Sequence, residues 1–186
     1  MSQSHIILVR HGEASAAWST HPDPGLSKLG CLQVENTRKS LINQIPLYKL
    51  ISSPKKRAVE TMELISLKKK YSFEVDNRFI EIPSENIAVE IKQDWLMGIF
   101  EAPIKDLPKT VKNWRNNLSA WIDNANGNFI VTTHFMVINT LISYLTNSKS
   151  ISYFHPDYAS KTEIFLNNGK LTKLILGDKK KTEINL

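Results

Sequence analysis

The chain has 186 residues, of which 41% are hydrophobic and 23% charged, with a formal net charge of +6 and a single cysteine. That length supports one compact domain over residues 1–186 and falls short of two ordinary ones. One cysteine excludes an intrachain disulfide and a thiolate metal cluster, and neither a membrane-length apolar run nor a basic leader appears, so the expectation is a soluble, cytoplasmic protein with no membrane partner.

The positive excess comes chiefly from lysine, with runs of three at 68–70 and 179–181. No basic stretch is interleaved with aromatics, so solvated lysines are expected and nucleic acid is not. A basic surface also suits a small anionic ligand.

In chain order, "HIILVR" predicts a first strand, followed by a helical pattern on Leu26, Leu29, Leu41, Ile42 and Ile45. "YKLISS" predicts a second strand, after which Ser53 is placed to cap a helix with Pro54 at its first position and Arg57 in its opening turn. "FEVDNRF" reads as a third strand, and Trp114, Leu118, Trp121, Ile122 and Ala125 form a helical stripe before the strand "FIVTTH". Ile138, Leu141, Ile142 and Leu145 repeat the stripe, and "KTEIFLN" and "LTKLIL" form a hairpin about "NNGK". Alternating strands and helices predict an α/β three-layer sandwich with a mostly parallel or mixed central sheet and helices on both faces.

Ligands of such sheets bind beyond the carboxyl ends of the strands. The first strand ends in Arg10, His11 and Gly12, Arg57 follows the second, and His134 ends the "FIVTTH" strand. Guanidinium forks match phosphate oxygens, and a neutral imidazole attacks phosphorus through one ring nitrogen while the other donates a proton to a fixed acceptor. His11 is then the expected nucleophile, with its pKa depressed by the flanking cations, and Gly12 is expected to admit the ligand close to the backbone.

"LVRHGEA" resembles the signature of the histidine phosphatase superfamily, which includes the phosphoglycerate mutases. "GLSKLGCLQ", "SSPKKRAVET", "VTTHFMVIN" and the terminal hairpin resemble that family's later motifs, in family order, over almost the whole chain. The resemblance implies a phosphoglycerate mutase-like fold and a phosphohistidine at His11, with Arg10, Gly12, Arg57 and His134 around the phosphate. It implies no metal and no cofactor. It also implies a carboxylic acid after the third strand: "RFIEIPSE" places Glu81 there, with Glu85 and Glu90 as alternatives because the family's usual following motif is missing. A glutamate acting as acid needs a raised pKa, which an apolar setting supplies. Phe135, Asn139 and Ala159 stand where the family commonly has glycine, arginine and asparagine, so an unusual substrate-facing rim is expected.

The resulting expectation is a metal-independent phosphatase acting on a small phosphorylated substrate, with a phosphoprotein offering the same terminal group. Mutase-type transfer and a phospholigand-binding protein without turnover stand as alternatives. Oligomeric state has no signature in the sequence. His5, His21 and His155 lack ligand spacing, Trp114 and Trp121 read as core, and Asp23, Ser27 and Glu13 as turn-forming or capping residues. Cys31 and Arg38 are separated by six residues where a cysteine phosphatase loop has five, and Gly25 and Gly30 lack the lysine that a nucleotide loop requires.

Overall fold

The computed structural model describes residues 3–17, 21–67 and 70–179. Of the two lysine runs, only Lys70 and Lys179 fall within these residues; the others lie outside them. Strand β1 (Gln3–Arg10) leads to helix α1 (Lys28–Leu41), β2 (Lys49–Ser52), α2 (Lys56–Ile65) and the short β3 (Glu74–Val75). Then follow α3 (Lys92–Glu101), α4 (Lys109–Asp123), β4 (Gly127–Thr133), α5 (Phe135–Leu145), β5 (Lys161–Asn167) and β6 (Lys170–Ile175). The sheet runs β3-β2-β4-β1-β5-β6, parallel across the first four strands and antiparallel across the last two pairings. This is the mixed sheet expected, with β5 and β6 joined through Asn168 and Gly169 at positive φ, as a two-residue hairpin turn requires.

Alternation along β1 sends its side chains to two cores. Ile6 and Leu8 pack with α4 and α5 on one face, whereas Ile7 and Val9 pack with α1 and α2 on the other. All four are fully buried, so β1 is a central strand that holds its carboxyl end rigidly. Among the described residues, no helix is long and apolar enough to cross a membrane.

Three local expectations are corrected. The stripe assigned to α1 includes Leu29 and Ile42, which are exposed; the helix starts after the Ser27 cap and turns Gly30, Val34 and Leu41 inward. "FEVDNRF" yields only a two-residue strand, because the Asp76 carboxylate accepts from Arg78 N at 2.9 Å and closes a 3₁₀ turn over Asn77–Phe79 that buries Phe79. Ser53 does not cap α2, which begins at Lys56. Asp23 accepts from Lys56 N at 3.1 and 3.2 Å, filling the capping role from another segment.

Candidate active site

The parallel strands deliver Arg10, Ser53 and His134 to one sheet edge, where β1 and β4 are in register to Arg10 and Thr133. His11 N donates to Thr133 O at 2.9 Å and Ser53 N donates to Thr132 O at 2.9 Å, so the loops leaving three strands are tied together at the backbone. Arg57 enters from the first turn of α2. His11, His134, Arg10 and Arg57 are all buried, an expensive collection of polar groups in one place.

The hydrogen bonds fix both imidazoles. Arg57 Nε donates to His11 Nε2 at 3.0 Å, and since a guanidinium only donates, Nε2 carries the lone pair. His11 Nδ1 therefore holds the proton and donates it to Gly12 O at 2.7 Å. By the same reasoning Arg57 Nη2 donates to His134 Nδ1 at 3.2 Å, leaving His134 Nε2 to donate to Ser53 Oγ at 2.7 Å. Burial pushes both histidine pKa values well below 6.5, with Arg57 the next cause in each case. The flanking cations thus contribute as expected, but burial is the larger cause for His11.

Arg10 is seated differently. Its guanidinium carbon lies 4.0 Å from the centre of the Tyr158 ring and 5.5 Å from that of Phe135, and Nη1 donates to Pro156 O at 2.8 Å. The segment carrying Tyr158 is laced to the end of β1: Ala159 N donates to His11 O at 3.2 Å and Arg10 N to Ser160 O at 3.1 Å.

Glu81 lies on a segment held from two sides. Thr133 Oγ1 donates to Phe79 O at 3.0 Å and Trp114 Nε1 to Ile80 O at 3.0 Å. Glu81 Oε1 accepts from Ile82 N at 3.0 Å. Burial raises its pKa above the ordinary carboxylate value, against the opposing pull of that hydrogen bond and of Arg57 and Arg10. With Arg57, Glu81 lines a cavity of about 390 Å³ whose walls also include Lys55, Ser84, Glu85 and Lys92. Glu85 is exposed; Glu90 is exposed and does not line this cavity.

The family model of the histidine phosphatase superfamily (branch 1) matches residues 6–179. The chain belongs to the histidine phosphatase superfamily. Among solved structures of similar fold is the phosphoserine phosphatase of Entamoeba histolytica in complex with 3-phosphoglyceric acid, at TM-score 0.71 and 18% identity, over 96% of this chain and 98% of that one. The phosphoglycerate mutase of Bacillus anthracis aligns at 0.70 and 20% identity, over 92% and 91% of the two chains. Mycobacterial glucosyl-3-phosphoglycerate phosphatase complexed with VO3 aligns at 0.65 and 15% identity, over 95% and 99%. Curated proteins give no match.

For a member of the histidine phosphatase superfamily, some motif positions do different work here from that expected of them. A Cβ on Gly12 would stand 2.6 Å from Gly30 O and 2.9 Å from Val34 Cγ2, so the packing of α1 by itself excludes a side chain there. Asn139 is not a rim residue: it is fully buried, and its Oδ1 accepts from Tyr153 N and Phe154 N at 3.1 and 3.0 Å. Ala159 occupies φ +53°, the left-handed region that asparagine tolerates better than alanine. Glu13 shapes the turn, accepting from Ser27 Oγ at 2.7 Å, and its own N–H donates to Gln33 Oε1 at 2.9 Å.

At the far end of β1, His5 Nε2 donates to Glu163 Oε2 and Nδ1 accepts from the Tyr48 hydroxyl, with the ring stacked on Phe165. His21 accepts from Asp23 N, and His155 packs its ring near Phe100 and Phe135. Among the described residues no group of three or more His, Cys, Asp or Glu side chains could hold a metal ion. Sequence reasoning missed Ser53 as the partner of His134, Tyr158 beside Arg10, and Lys55 and Lys92 in the cavity wall. Ser53 carries a signal, a hydroxyl just after a strand beside Arg57, that fits a helix cap equally well.

Proposed function

We propose that this chain is a phosphatase that hydrolyses a small phosphomonoester through a phosphohistidine at His11, without a metal. The observation that carries the reading is the Arg57 contact, which leaves the lone pair on His11 Nε2. Arg57 Nε gives up its hydrogen bond to Nε2 and turns to the phosphoryl oxygens, Nε2 attacks phosphorus as the bond to the leaving oxygen breaks, and protonated Glu81 gives that oxygen its proton. Water then attacks the phosphohistidine, Glu81 takes a proton from it, and inorganic phosphate departs as the N–P bond breaks. Arg10, Arg57 and His134 stabilise the charge on the equatorial oxygens, with Gly12 keeping the loop that carries His11 close to α1.

The substrate reading favours a small molecule. A cavity of about 390 Å³ suits a compact leaving group, and Lys55 and Lys92 in its wall suit a second anionic group on it. Similar folds hold 3-phosphoglyceric acid and VO3. The likeness to a phosphoglycerate mutase keeps transfer to a second hydroxyl as the competing reading.

The test is phosphate release from phosphoserine, 3-phosphoglycerate and a chromogenic phosphoester in the presence of chelator, for wild type and His11→Ala. Release by wild type that His11→Ala abolishes supports hydrolysis through His11. Equal release by both proteins rejects it, and movement of the phosphoryl group to another hydroxyl of the phosphoglycerate replaces it with mutase activity.

A further inference from the structure

Arg10 and Arg57 are both buried cations at the same sheet edge, yet they are oriented by different means. Arg57 is held by two imidazole nitrogens, through Nε and Nη2. The Arg10 guanidinium instead has the Tyr158 ring at 4.0 Å and the Phe135 ring at 5.5 Å, with Nη1 donating to a backbone carbonyl. An aromatic face attracts a guanidinium while taking up none of its N–H donors and bringing no formal counter-charge. A carboxylate in the same place would compete directly with phosphate for the fork.

The backbone that carries the Tyr158 ring is itself fixed. Tyr158 N donates to Asp157 Oδ1 at 2.8 Å, Asp157 N to Asp178 O at 3.0 Å, and the next residue donates from its backbone to His11 O. Phe135, at the first position of α5, is steadied by ring contacts to Phe100 and His155 at 5.3 and 5.4 Å. Tyr158 also stands 5.9 Å from the His11 ring, so a direct effect on His11 has to be separated from an effect through Arg10.

We propose that Tyr158 is a positioning residue for the phosphate site: its ring face holds the Arg10 guanidinium in the plane in which it forks a phosphoryl group, with Phe135 as the second ring of that seat. The inference rests on the reading of this edge as a phosphate site. Its phenolic oxygen has no part in the role, so a phenyl ring serves as well.

The experiment is titration of orthovanadate by calorimetry against wild type, Tyr158→Leu and Tyr158→Phe, and against Tyr158→Leu made in an Arg10→Lys background. Melting temperatures are recorded alongside. Tyr158→Leu weakens orthovanadate binding by about tenfold, while Tyr158→Phe stays within about twofold of wild type. In the Arg10→Lys background the same leucine substitution costs less than about twofold, because a lysine ammonium has no plane to orient. Unchanged binding by a folded Tyr158→Leu protein overturns the inference, as does an undiminished loss in the Arg10→Lys background, which would put the effect on His11. A wild-type protein that neither binds orthovanadate nor releases phosphate instead overturns the functional reading beneath it.

Discussion

Arg57 donates to His11 Nε2 and, through a second nitrogen of the same guanidinium, to His134 Nδ1, so one side chain sets the tautomer of both buried imidazoles. The proton of His11 is thereby directed to Gly12 O, and the opposite nitrogen keeps an unprotonated lone pair that accepts from Arg57.

Arg57 is therefore expected to matter for more than charge. Arg57→Ala lowers kcat/KM by about 10²–10³-fold, the scale of losing a preorganised donor at developing negative charge. Arg57→Lys recovers part of this, because one ammonium cannot span both imidazoles. Nitrogen chemical shifts of the His134 ring check the cause: the wild-type ring shows the Nε2–H tautomer and Arg57→Ala a mixture, because the Ser53 hydroxyl can donate as well as accept, whereas Gly12 O keeps His11 in its Nδ1–H form.

With Glu81 as proton donor and His11 as nucleophile, as proposed, the rate should depend on pH through both groups. Burial holds the Glu81 carboxyl protonated above the ordinary carboxylate range, so kcat falls on the alkaline side as that proton is lost. On the acid side, His11 stays neutral to well below 6.5. Glu81→Gln should reduce the rate and remove the alkaline limb, while leaving the acid limb in place. An alkaline limb that survives in Glu81→Gln assigns the proton donor elsewhere.

Trp114 is expected to act on turnover at a distance through its hydrogen bond to Ile80 O, next to Glu81. Trp114→Phe retains most of the packing but frees that carbonyl, so kcat falls several-fold with little change in orthovanadate affinity, at a stability cost of about 1 kcal/mol. Steady-state kinetics beside calorimetry separates the two effects.

Much of this was legible in the sequence, for a physical reason. The buried histidines and Arg10 sit at strand ends, and strands such as "HIILVR" and "FIVTTH" announce themselves by apolar, β-branched composition, so His11 and His134 could be placed at one edge from the chain alone. What stayed hidden depends on tertiary partners. Nothing local distinguishes Ser53 as a helix cap from Ser53 as the acceptor for His134 Nε2, and Asp23 reaches α2 across 33 residues of chain. The α1 stripe failed in part because Gly30 and Val34, rather than Leu29 and Ile42, join Leu41 on its inner face, where Gly12 and Glu13 press against Gly30.

That contact predicts a stability effect at Gly12. Gly12→Ala forces a methyl group against the carbonyl of Gly30 and should cost about 1–3 kcal/mol, read as a lower urea midpoint. An unchanged midpoint with weakened orthovanadate binding would return the glycine to the role of admitting ligand.

Stability should also fall in mild acid. His11 and His134 have folded pKa values below 6.5, so as pH falls through 6.5 the unfolded chain takes up protons that the folded chain refuses. Their contribution is intact above that value and is lost toward the lowered ones. Glu81 runs the other way, favouring the fold at low pH and losing that contribution as pH rises through its raised value, but it is one group against two. The urea midpoint should drop between about pH 7.5 and pH 5.5; a rising midpoint contradicts the two buried neutral histidines.

The most direct test is to trap the phosphoenzyme. Wild-type protein mixed with a ³²P-labelled substrate that it turns over, and quenched in alkali within milliseconds, should carry label that survives base, is lost in acid and maps to the peptide containing His11, while Glu81→Gln, given a labelled phosphoester whose leaving group departs without protonation, accumulates more of it because water is activated slowly. Label on another residue, or active turnover with no labelled protein in either variant, would contradict a phosphohistidine at His11.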